Sequence, residues 1–586
     1  MENSEYPIII ELMNSMMLAY RKISDNYLKN ISGYHHDVRD IGLTYSNLYS
    51  KALVQPSELF KIYRFSLDYL NDFQDLYKSL FFNYQNLEAK LIIEPQKGDK
   101  RFLDPDWNAR PYFNFIKQNY LLVSKLLQKT VGEIEIDEKL RKKLDFYTMQ
   151  YISAFSPSNY VFTNPEVLKL AINTNGKSLF DGLKNLINDL ENGKITQIDE
   201  AAYKVGVDLA ITKGDVIYEN DLMQLIQYVP STNTVYELPL IIVPPWINKY
   251  YILDLQQKNS FVKFLVDQGI TVFMISWRNP NPKMASLSFD DYVESGSLKA
   301  IEVVANIFES KKINMLGYCL GGTLLSITSS ILSVDKKNNP INSATFLASM
   351  VDFTNIGPMG DVIDGALIKK LERGELLQHG LLSGRDMETA FNLIRPNDLV
   401  WNYVIHNYLK GLKPDSFDVI YWTNDNTNLP GKMYVYYMKQ MIFENKLSRP
   451  NGLQICNTTI DIGRINFPVF IIGLKDDNIS PAITAFATTE LVNGPVEFIL
   501  GESGHVMGVV NPPYKNKYGY YLNGELGNGF ENWKNTASHF TGSWWPVWVD
   551  KLKKVSGSKI ESSIFVGNKK HKSIESAPGR YVKEKC

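Results

Sequence analysis

Continuous apolar runs bounded by turn residues begin at Leu238 and predict buried strands. Four early runs and two late runs have this form, at 239–244, 271–277, 313–316, 344–348, 467–472 and 496–500. Segments with helical spacing lie between the early runs. Strands that are covered on both faces by helices read as unbroken apolar stretches, so the pattern predicts a parallel sheet in an α/β fold.

The chain before this region is mostly helical in pattern. Aromatic and aliphatic side chains recur at three- and four-residue spacing over 63–84 and 113–127, which is typical of amphipathic helices. We therefore expect a mainly helical N-terminal domain at 1–230 and an α/β domain at 231–586. The stretch from about 354 to 460 lacks strand–helix alternation and separates the late strands from the early ones. Its position predicts a cap insertion over the active site.

Composition narrows the class of protein. The chain of 586 residues has 44% hydrophobic and 21% charged residues, as in ordinary globular proteins, and its formal net charge of −1 gives no basis for a nucleic-acid surface. Its cysteines, Cys319, Cys456 and Cys586, have no C-x-x-C spacing, which argues against a disulfide framework and for a reducing, cytoplasmic setting. No signal peptide or membrane-spanning run is found in the sequence, so we expect a soluble intracellular protein.

The strongest chemical signal is the pentapeptide 317–321, Gly-Tyr-Cys-Leu-Gly, at the end of the third apolar run. It has the G-x-S-x-G form of a nucleophile elbow, with Cys319 in place of the serine. Gly317 and Gly321 allow a strand and a helix to pack tightly around a strained nucleophile, and the helix N-terminus behind Cys319 favours a thiolate. The alternative for the pentapeptide alone is a buried cysteine on a glycine-rich turn.

An elbow predicts an acid and then a histidine on loops after later strands. The loop after 467–472 offers Asp476 and Asp477, and the loop after 496–500 offers His505. Taken singly, the histidine is better explained as a turn residue and the aspartate as an Asx-turn or helix cap. Together, in this order and strand context, they favour a Cys–Asp–His triad on an α/β-hydrolase fold.

A cysteine nucleophile shifts the expected chemistry from hydrolysis towards acyl transfer. Its acyl-enzyme is a thioester, which retains the free energy needed to pass the acyl group to an alcohol, although cysteine hydrolases on this fold remain an alternative. We expect the oxyanion to be met by backbone N–H groups of Leu320 and of the loop 244–248, for which we take Ile247. The cysteines and histidines show no metal-ligand spacing, and we expect neither a metal nor another cofactor.

Long stretches of the sequence closely resemble the polyhydroxyalkanoate synthases of the single-subunit, short-chain type (class I). The likeness covers nearly the whole chain from about Pro105 onward. The matching stretches are 243–255 (VPPWINKYYILDL), 276–280 (SWRNP), 317–322 (GYCLGG), 395–403 (RPNDLVWNY), 421–431 (YWTNDNTNLPG), 504–505 with 509–513 (GH and VVNPP), 542–546 (GSWWP) and 577–583 (APGRYVK).

The resemblance implies an acyltransferase that polymerises (R)-3-hydroxyacyl-CoA, with 3-hydroxybutyryl-CoA the expected substrate, and releases CoA. It also implies that Cys319 carries the acyl group, that His505 is the general base, and that Asp477 is the third member of the triad. A homodimer in the cytoplasm, bound to the growing polyester and the granule surface, is implied as well. This chain departs from the family pattern at Asn478, where many members carry His, and at Trp246, where a smaller residue is common.

Two other functions remain open at this stage. A Cys-dependent thioesterase or esterase would use the same triad. A non-enzymatic granule-coat protein would need no triad, and the intact set of Cys319, Asp477 and His505 argues against it.

Overall fold

The computed structural model describes residues 54–81, 91–308, 312–562 and 566–586, together with residues 42, 45, 46, 48 and 50. The chain forms two compact units. The first contains Met1–Asp199 and Phe391–Asp415, and the second contains Glu200–Ala390 and Ser416–Cys586.

Helices build the first unit. Its core includes a cluster of buried residues around Trp107, whose ring lies 5.0 Å from that of Phe102. The predicted helical spacing at 113–127 is confirmed within one helix, and that at 63–81 within another, while 82–84 lie outside the described residues. The helices are α1 Pro56–Phe81, α2 Asp106–Ala109, α3 Pro111–Glu133, α4 Glu138–Ala154, α5 Pro165–Asn173 and α6 Lys177–Asn192.

The second unit is organised around a sheet of eleven strands. The strands of this unit are β1 Gly214–Glu219, β2 Met223–Tyr228, β3 Thr234–Tyr236, β4 Leu240–Val243, β5 Val272–Trp277, β6 Ile313–Tyr318, β7 Ile341–Leu347, β8 Leu381–Leu382, β9 Leu429–Pro430, β10 Leu453–Ile455, β11 Thr458–Ile460, β12 Val469–Leu474, β13 Val496–Gly501, β14 Gly519–Leu522, β15 Ser538–Thr541, β16 Lys559–Glu561 and β17 Glu575–Ser576. The large sheet has the order β15-β14-β13-β12-β7-β6-β4-β5-β2-β1-β17.

The middle of this sheet is parallel, as the apolar runs predict. Strands β5, β4, β6, β7, β12 and β13 pair in parallel. Every residue of β4, β5, β6 and β12 is buried, because the helices on both faces leave no side of these strands in water. The α/β-hydrolase fold class predicted from the sequence is confirmed by this topology.

The helices of the second unit lie between and beyond the strands. They are α7 Phe261–Asp267, α8 Phe289–Asp291, α9 Lys299–Ile307, α10 Leu320–Leu332, α11 Gly365–Glu372, α12 Gly384–Ile394 (which runs on into the first unit), α13 Asp418–Asn424, α14 Gly431–Tyr436, α15 Ala482–Leu491, α16 Gly529–Thr536 and α17 Trp545–Val555. Helical segments of other pitch in this unit are Tyr250–Leu253, Pro282–Met284, Tyr292–Leu298, Gly357–Val362, Tyr437–Phe443, Ile462–Arg464, Pro513–Lys515 and Tyr581–Lys583, and those of the first unit are Pro157–Asn159, Asn397–Trp401 and Val404–Leu409.

The last part of the region predicted as helical contains strands. The sequence pattern predicts a mainly helical region up to about residue 230, yet β1 and β2 form an antiparallel pair that joins the large sheet through β5. Each of these strands has only six residues, which is too short for periodicity to separate a strand from one and a half turns of helix.

The region predicted as a cap contains short helices and short antiparallel strands. Of its residues, Phe391–Asp415 belong to the first compact unit, and the others belong to the second. Its action as a cap stays a prediction. In the part of the chain that the structure describes, no helix combines the length and the apolar character that crossing a membrane requires.

Candidate active site

Cys319 lies at the sharp turn between β6 and α10. Its backbone has φ +53° and ψ −125°, a conformation that costs a non-glycine residue about 1–3 kcal/mol. Its N–H donates to the carbonyl oxygen of Leu347 at 2.9 Å, which ties the turn to β7. The packing is close: a Cβ on Gly321 would lie 1.9 Å from the carbonyl oxygen of Val243, and one on Gly317 would lie 2.7 Å from that of Gly321. The sequence therefore forms the elbow that the two glycines predict.

Asp477 holds His505 with one carboxylate oxygen and its own turn with the other. Oδ2 lies 2.7 Å from Nδ1 of the imidazole, and Oδ1 accepts the N–H groups of Ile479 and Ser480, each at 2.8 Å. The Asx-turn and the triad contact, which are alternatives from sequence alone, are thus made by the same buried side chain. The neighbouring Asp476 is exposed.

The imidazole of His505 is buried and lies between Asp477 and Cys319. Because the carboxylate accepts the proton on Nδ1, the nitrogen left for the thiol is Nε2. Burial lowers the pKa of His505, but the negative charges of Asp477 and Cys319, together with hydrogen bonds to both, raise it well above its ordinary value. This balance favours the protonated, imidazolium form of His505.

Two tyrosines line the same site. The ring of Tyr318 stacks on the imidazole of His505, with centroids 5.5 Å apart and planes 25° apart. Burial and the charge of Cys319 both raise the pKa of Tyr437, so this ring lies near the thiol. Tyr437 also packs edge-on against Trp246, with centroids 6.1 Å apart. Tyr437 and Trp246 thus form an aromatic wall, and Tyr437 is the member of it on which the charge of Cys319 acts.

The two predicted oxyanion donors lie on segments that meet at the elbow. Leu320 is the first residue of α10, whose first N–H groups have no acceptor within the helix. Ile247 lies in the loop after β4, and the last residue of that strand, Val243, is packed against Gly321. Among the described residues, no acceptor is found for the N–H of Leu320 or of Ile247. Backbone donors without an acceptor suit an oxyanion, and this role of Leu320 and Ile247 stays a prediction.

The other cysteines lie in different surroundings. The thiol of Cys456 lies 3.7 Å from the carbonyl oxygen of Asp290, and burial together with the charges of Glu294 and Asp290 raises its pKa to about 12. Cys586 is exposed. Cys319 is thus the cysteine that the fold places beside a histidine.

Two family models and several curated proteins match this sequence. A family model described as "Poly-beta-hydroxybutyrate polymerase (PhaC) N-terminus" matches residues 98–265, and one described as "alpha/beta hydrolase fold" matches 239–512. A poly(3-hydroxyalkanoate) polymerase subunit PhaC of Cupriavidus necator is 40% identical over 88% of this chain and 87% of its own length. A poly(3-hydroxyalkanoate) polymerase of Methylorubrum extorquens is 40% identical over 88% and 85% of the two chains. This chain belongs to the poly(3-hydroxyalkanoate) polymerase family.

A further member of the polymerase family is less similar to this chain. Poly(3-hydroxyalkanoate) polymerase 2 of Ectopseudomonas oleovorans is 34% identical over 84% of this chain and 87% of its own length.

Among solved structures, that of DcsB with a substrate analogue aligns at 11% identity over 59% of this chain and 97% of that chain, with a TM-score of 0.31. A likeness this distant bears on neither activity nor substrate.

Neither the stacking of Tyr318 nor the packing of Tyr437 follows from the sequence pattern. Tyr318 lies one position before the nucleophile, but nothing in the elbow pattern tells that its ring stacks on an imidazole from a loop far along the chain. Tyr437 lies within the segment predicted as a cap, and it falls outside the stretches of this segment that resemble the polyhydroxyalkanoate synthases. In both cases the contact is made between remote segments, which a local pattern does not reveal.

Proposed function

We propose that this chain is a poly(3-hydroxyalkanoate) polymerase, an acyltransferase that joins (R)-3-hydroxyacyl groups from CoA thioesters through an acyl thioester on Cys319. The observation that carries the proposal is the position of Cys319, at an elbow beside the His505–Asp477 pair, in a chain that belongs to the polymerase family. Catalytic roles follow for all three side chains.

In the first half-reaction, the Cys319 thiolate attacks the thioester carbonyl of the acyl-CoA. The negative charge that develops on the carbonyl oxygen is met by the N–H groups of Leu320 and Ile247. The C–S bond to CoA then breaks, and the CoA sulfur takes the proton that His505 carries. The acyl group is left on Cys319 as a thioester, and the imidazole is neutral.

In the second half-reaction, the neutral His505 accepts the proton of a 3-hydroxyl group as its oxygen attacks the thioester on Cys319. The hydroxyl belongs to another 3-hydroxyacyl unit or to the end of the growing polyester. An ester bond forms, the bond to the cysteine sulfur breaks, and the thiolate–imidazolium pair is restored. Asp477 stabilises the imidazolium and fixes its orientation through the contact at Nδ1.

The family resemblance suggests 3-hydroxybutyryl-CoA as the preferred donor and a homodimer on the granule surface, in the cytoplasm, as the working form. The aromatic wall of Trp246 and Tyr437 supports a preference for short acyl groups, because large rings beside the nucleophile reduce the room for an acyl chain. Comparing turnover of donors with four, five and eight acyl carbons tests this preference, and sedimentation of the purified protein tests the dimer.

The activity is tested by supplying the purified chain with (R)-3-hydroxybutyryl-CoA and measuring CoA, polymer and free 3-hydroxybutyrate separately. We expect CoA release to be matched by hydroxyacyl units in polymer. Release matched by free acid would instead identify a thioesterase, and no release, with binding to preformed polymer, would identify a coat protein. Cys319→Ala is the control, because a variant without the thiol should form none of the three products, CoA, polymer and free acid.

A further inference from the structure

We infer that Thr427 is a positioning residue that orients the N–H of Ile247 towards the oxyanion. The hydroxyl of Thr427 donates to the carbonyl oxygen of Trp246 at 3.2 Å. That carbonyl and the N–H of Ile247 belong to the same peptide group, and this peptide is trans. In a planar trans peptide the C=O and N–H point in opposite directions. Holding the oxygen therefore fixes the direction of the N–H.

The remainder of the loop is held by the same segment. The indole Nε1 of Trp422 donates to the carbonyl oxygen of Lys249 at 2.6 Å, and Asn248 and Asn426 form a backbone bridge between the loop and the segment. The loop 246–249 is thus fastened at both ends and in the middle by residues 422–427. We call this set of contacts the loop clasp.

A buried ion pair adds to the loop clasp. Nζ of Lys249 lies 2.9 Å from Oδ1 of Asp425, and both side chains are only 2% exposed. The other carboxylate oxygen accepts the hydroxyl of Tyr251 at 2.9 Å. The Lys249 ammonium also donates to the carbonyl oxygen of Glu584 at 2.7 Å, and Lys585 reaches Asp425 at 2.7 Å. These directional contacts leave the backbone after Ile247 little freedom to rotate.

Stability alone is a weak reason for this arrangement. A buried ion pair often contributes no more to folding than apolar side chains of the same volume, because desolvation offsets the attraction. Its geometric effect is larger, since an oxyanion donor is useful only when it is aimed at the transition state before reaction. The N–H of Ile247 has no acceptor among the described residues, as a donor kept for a ligand requires.

The inference rests on the acyl-enzyme chemistry proposed above and is tested on the full chain by Thr427→Val, Thr427→Ser and a matched control, Thr423→Val. Valine keeps the shape of threonine without its hydroxyl, and serine restores the hydroxyl. Thr423 donates to the carbonyl oxygen of Ile420, within its own helix, and among the described residues no hydrogen bond joins its side chain to the loop. The readout is the rate constant of CoA release in the first turnover with (R)-3-hydroxybutyryl-CoA, measured along with KM and the thermal midpoint.

We expect Thr427→Val to slow first-turnover CoA release by about 10- to 100-fold, up to the effect of losing one oxyanion donor, with KM changed by less than about threefold. Thr427→Ser should regain most of the rate, and Thr423→Val should match the wild type. A folded Thr427→Val protein with the wild-type rate, or a serine variant as slow as the valine variant, would overturn the inference. Because the first turnover precedes polymer formation, a wild type that yields free acid contradicts the polymerase proposal but not this one. A wild type that is never acylated contradicts both.

Discussion

The ring of Tyr318 stacks on the imidazole of His505, with centroids 5.5 Å apart and an angle of 25° between the planes. The phenol oxygen is buried and has no hydrogen-bond partner among the described residues. The ring, and not the hydroxyl, is therefore the part of this side chain that holds the imidazole.

This contact predicts different outcomes for two substitutions of Tyr318. Tyr318→Phe keeps the ring and removes an unpaired buried oxygen, so we expect near-wild-type turnover and stability that is unchanged or higher by about 1 kcal/mol. Tyr318→Leu removes a stacking contact of about 0.5–1.5 kcal/mol and should lower kcat roughly three- to tenfold. Steady-state kinetics and thermal unfolding of both variants check this. A phenylalanine variant as impaired as the leucine variant would give the hydroxyl the main role.

Asp477→Asn and Asp476→Asn form a matched pair, because only the first carboxylate contacts His505. We expect about a 10⁴-fold loss of kcat at position 477 and little change at the exposed position 476. Loss of the negative charge should also lower the pKa of His505. Histidine NMR titration and the polymer assay measure both effects. If the substitution at position 476 were the more damaging one, Asp476 and not Asp477 would be the acid of the triad.

Cys319→Ala should remove acylation and polymer formation and leave the fold intact, because a methyl group occupies the space of the thiol. Loss of a nucleophile costs about 10⁶-fold in a triad enzyme. Cys319→Ser should be severely impaired, since its alcohol is a much weaker nucleophile with the same histidine. Peptide mass mapping after incubation with acyl-CoA locates the adduct, and an adduct on Cys456 or Cys586 with retained synthesis would refute this role.

Asp254 provides a pH-dependent contribution to stability. Its buried carboxylate accepts the hydroxyls of Thr212 and Ser260 at 2.5 and 2.6 Å, yet burial outweighs these bonds and raises its pKa to about 6. The folded pKa exceeds the unfolded one, so the folded state holds the proton more tightly. The stabilising contribution of the protonated form is therefore present below about pH 4 and is lost as the pH rises to about 6.

For this reason, the free energy of unfolding of the wild type should fall relative to that of Asp254→Asn between pH 4 and pH 7. The difference corresponds to about 3 kcal/mol for a shift of about two pKa units. Urea unfolding followed by tryptophan fluorescence at several pH values measures it. A constant difference between the two proteins across this range would show that Asp254 does not titrate there.

The segment from about 354 to 460 should open to admit acyl-CoA and close afterwards, because a waiting thioester has to be kept from water. Hydrogen exchange across this segment, with and without a non-transferable acyl-CoA analogue, measures this. We expect the analogue to increase protection. High protection that the analogue leaves unchanged would indicate a static subdomain and access through a fixed tunnel.

The sequence by itself determined the central sheet and the candidate nucleophile. Buried parallel strands require unbroken apolar runs, and these are visible at β4, β5, β6 and β12 without any tertiary information. The elbow was equally visible, because a cysteine with positive φ in a crowded turn requires small neighbours such as Gly317 and Gly321. The order of the acid and the histidine along the chain followed from the same fold.

Only the tertiary structure decided which groups touch. Asp476 and Asp477 are neighbours in one loop, and the direction of the chain in that loop buries one carboxylate against His505 and leaves the other in water. Tyr318, Thr427 and the Lys249–Asp425 pair were equally out of reach of local patterns, because each acts through a contact between segments that are far apart in sequence. Local periodicity reports which face of an element is buried, and the partner across the interface is set by how the whole chain folds.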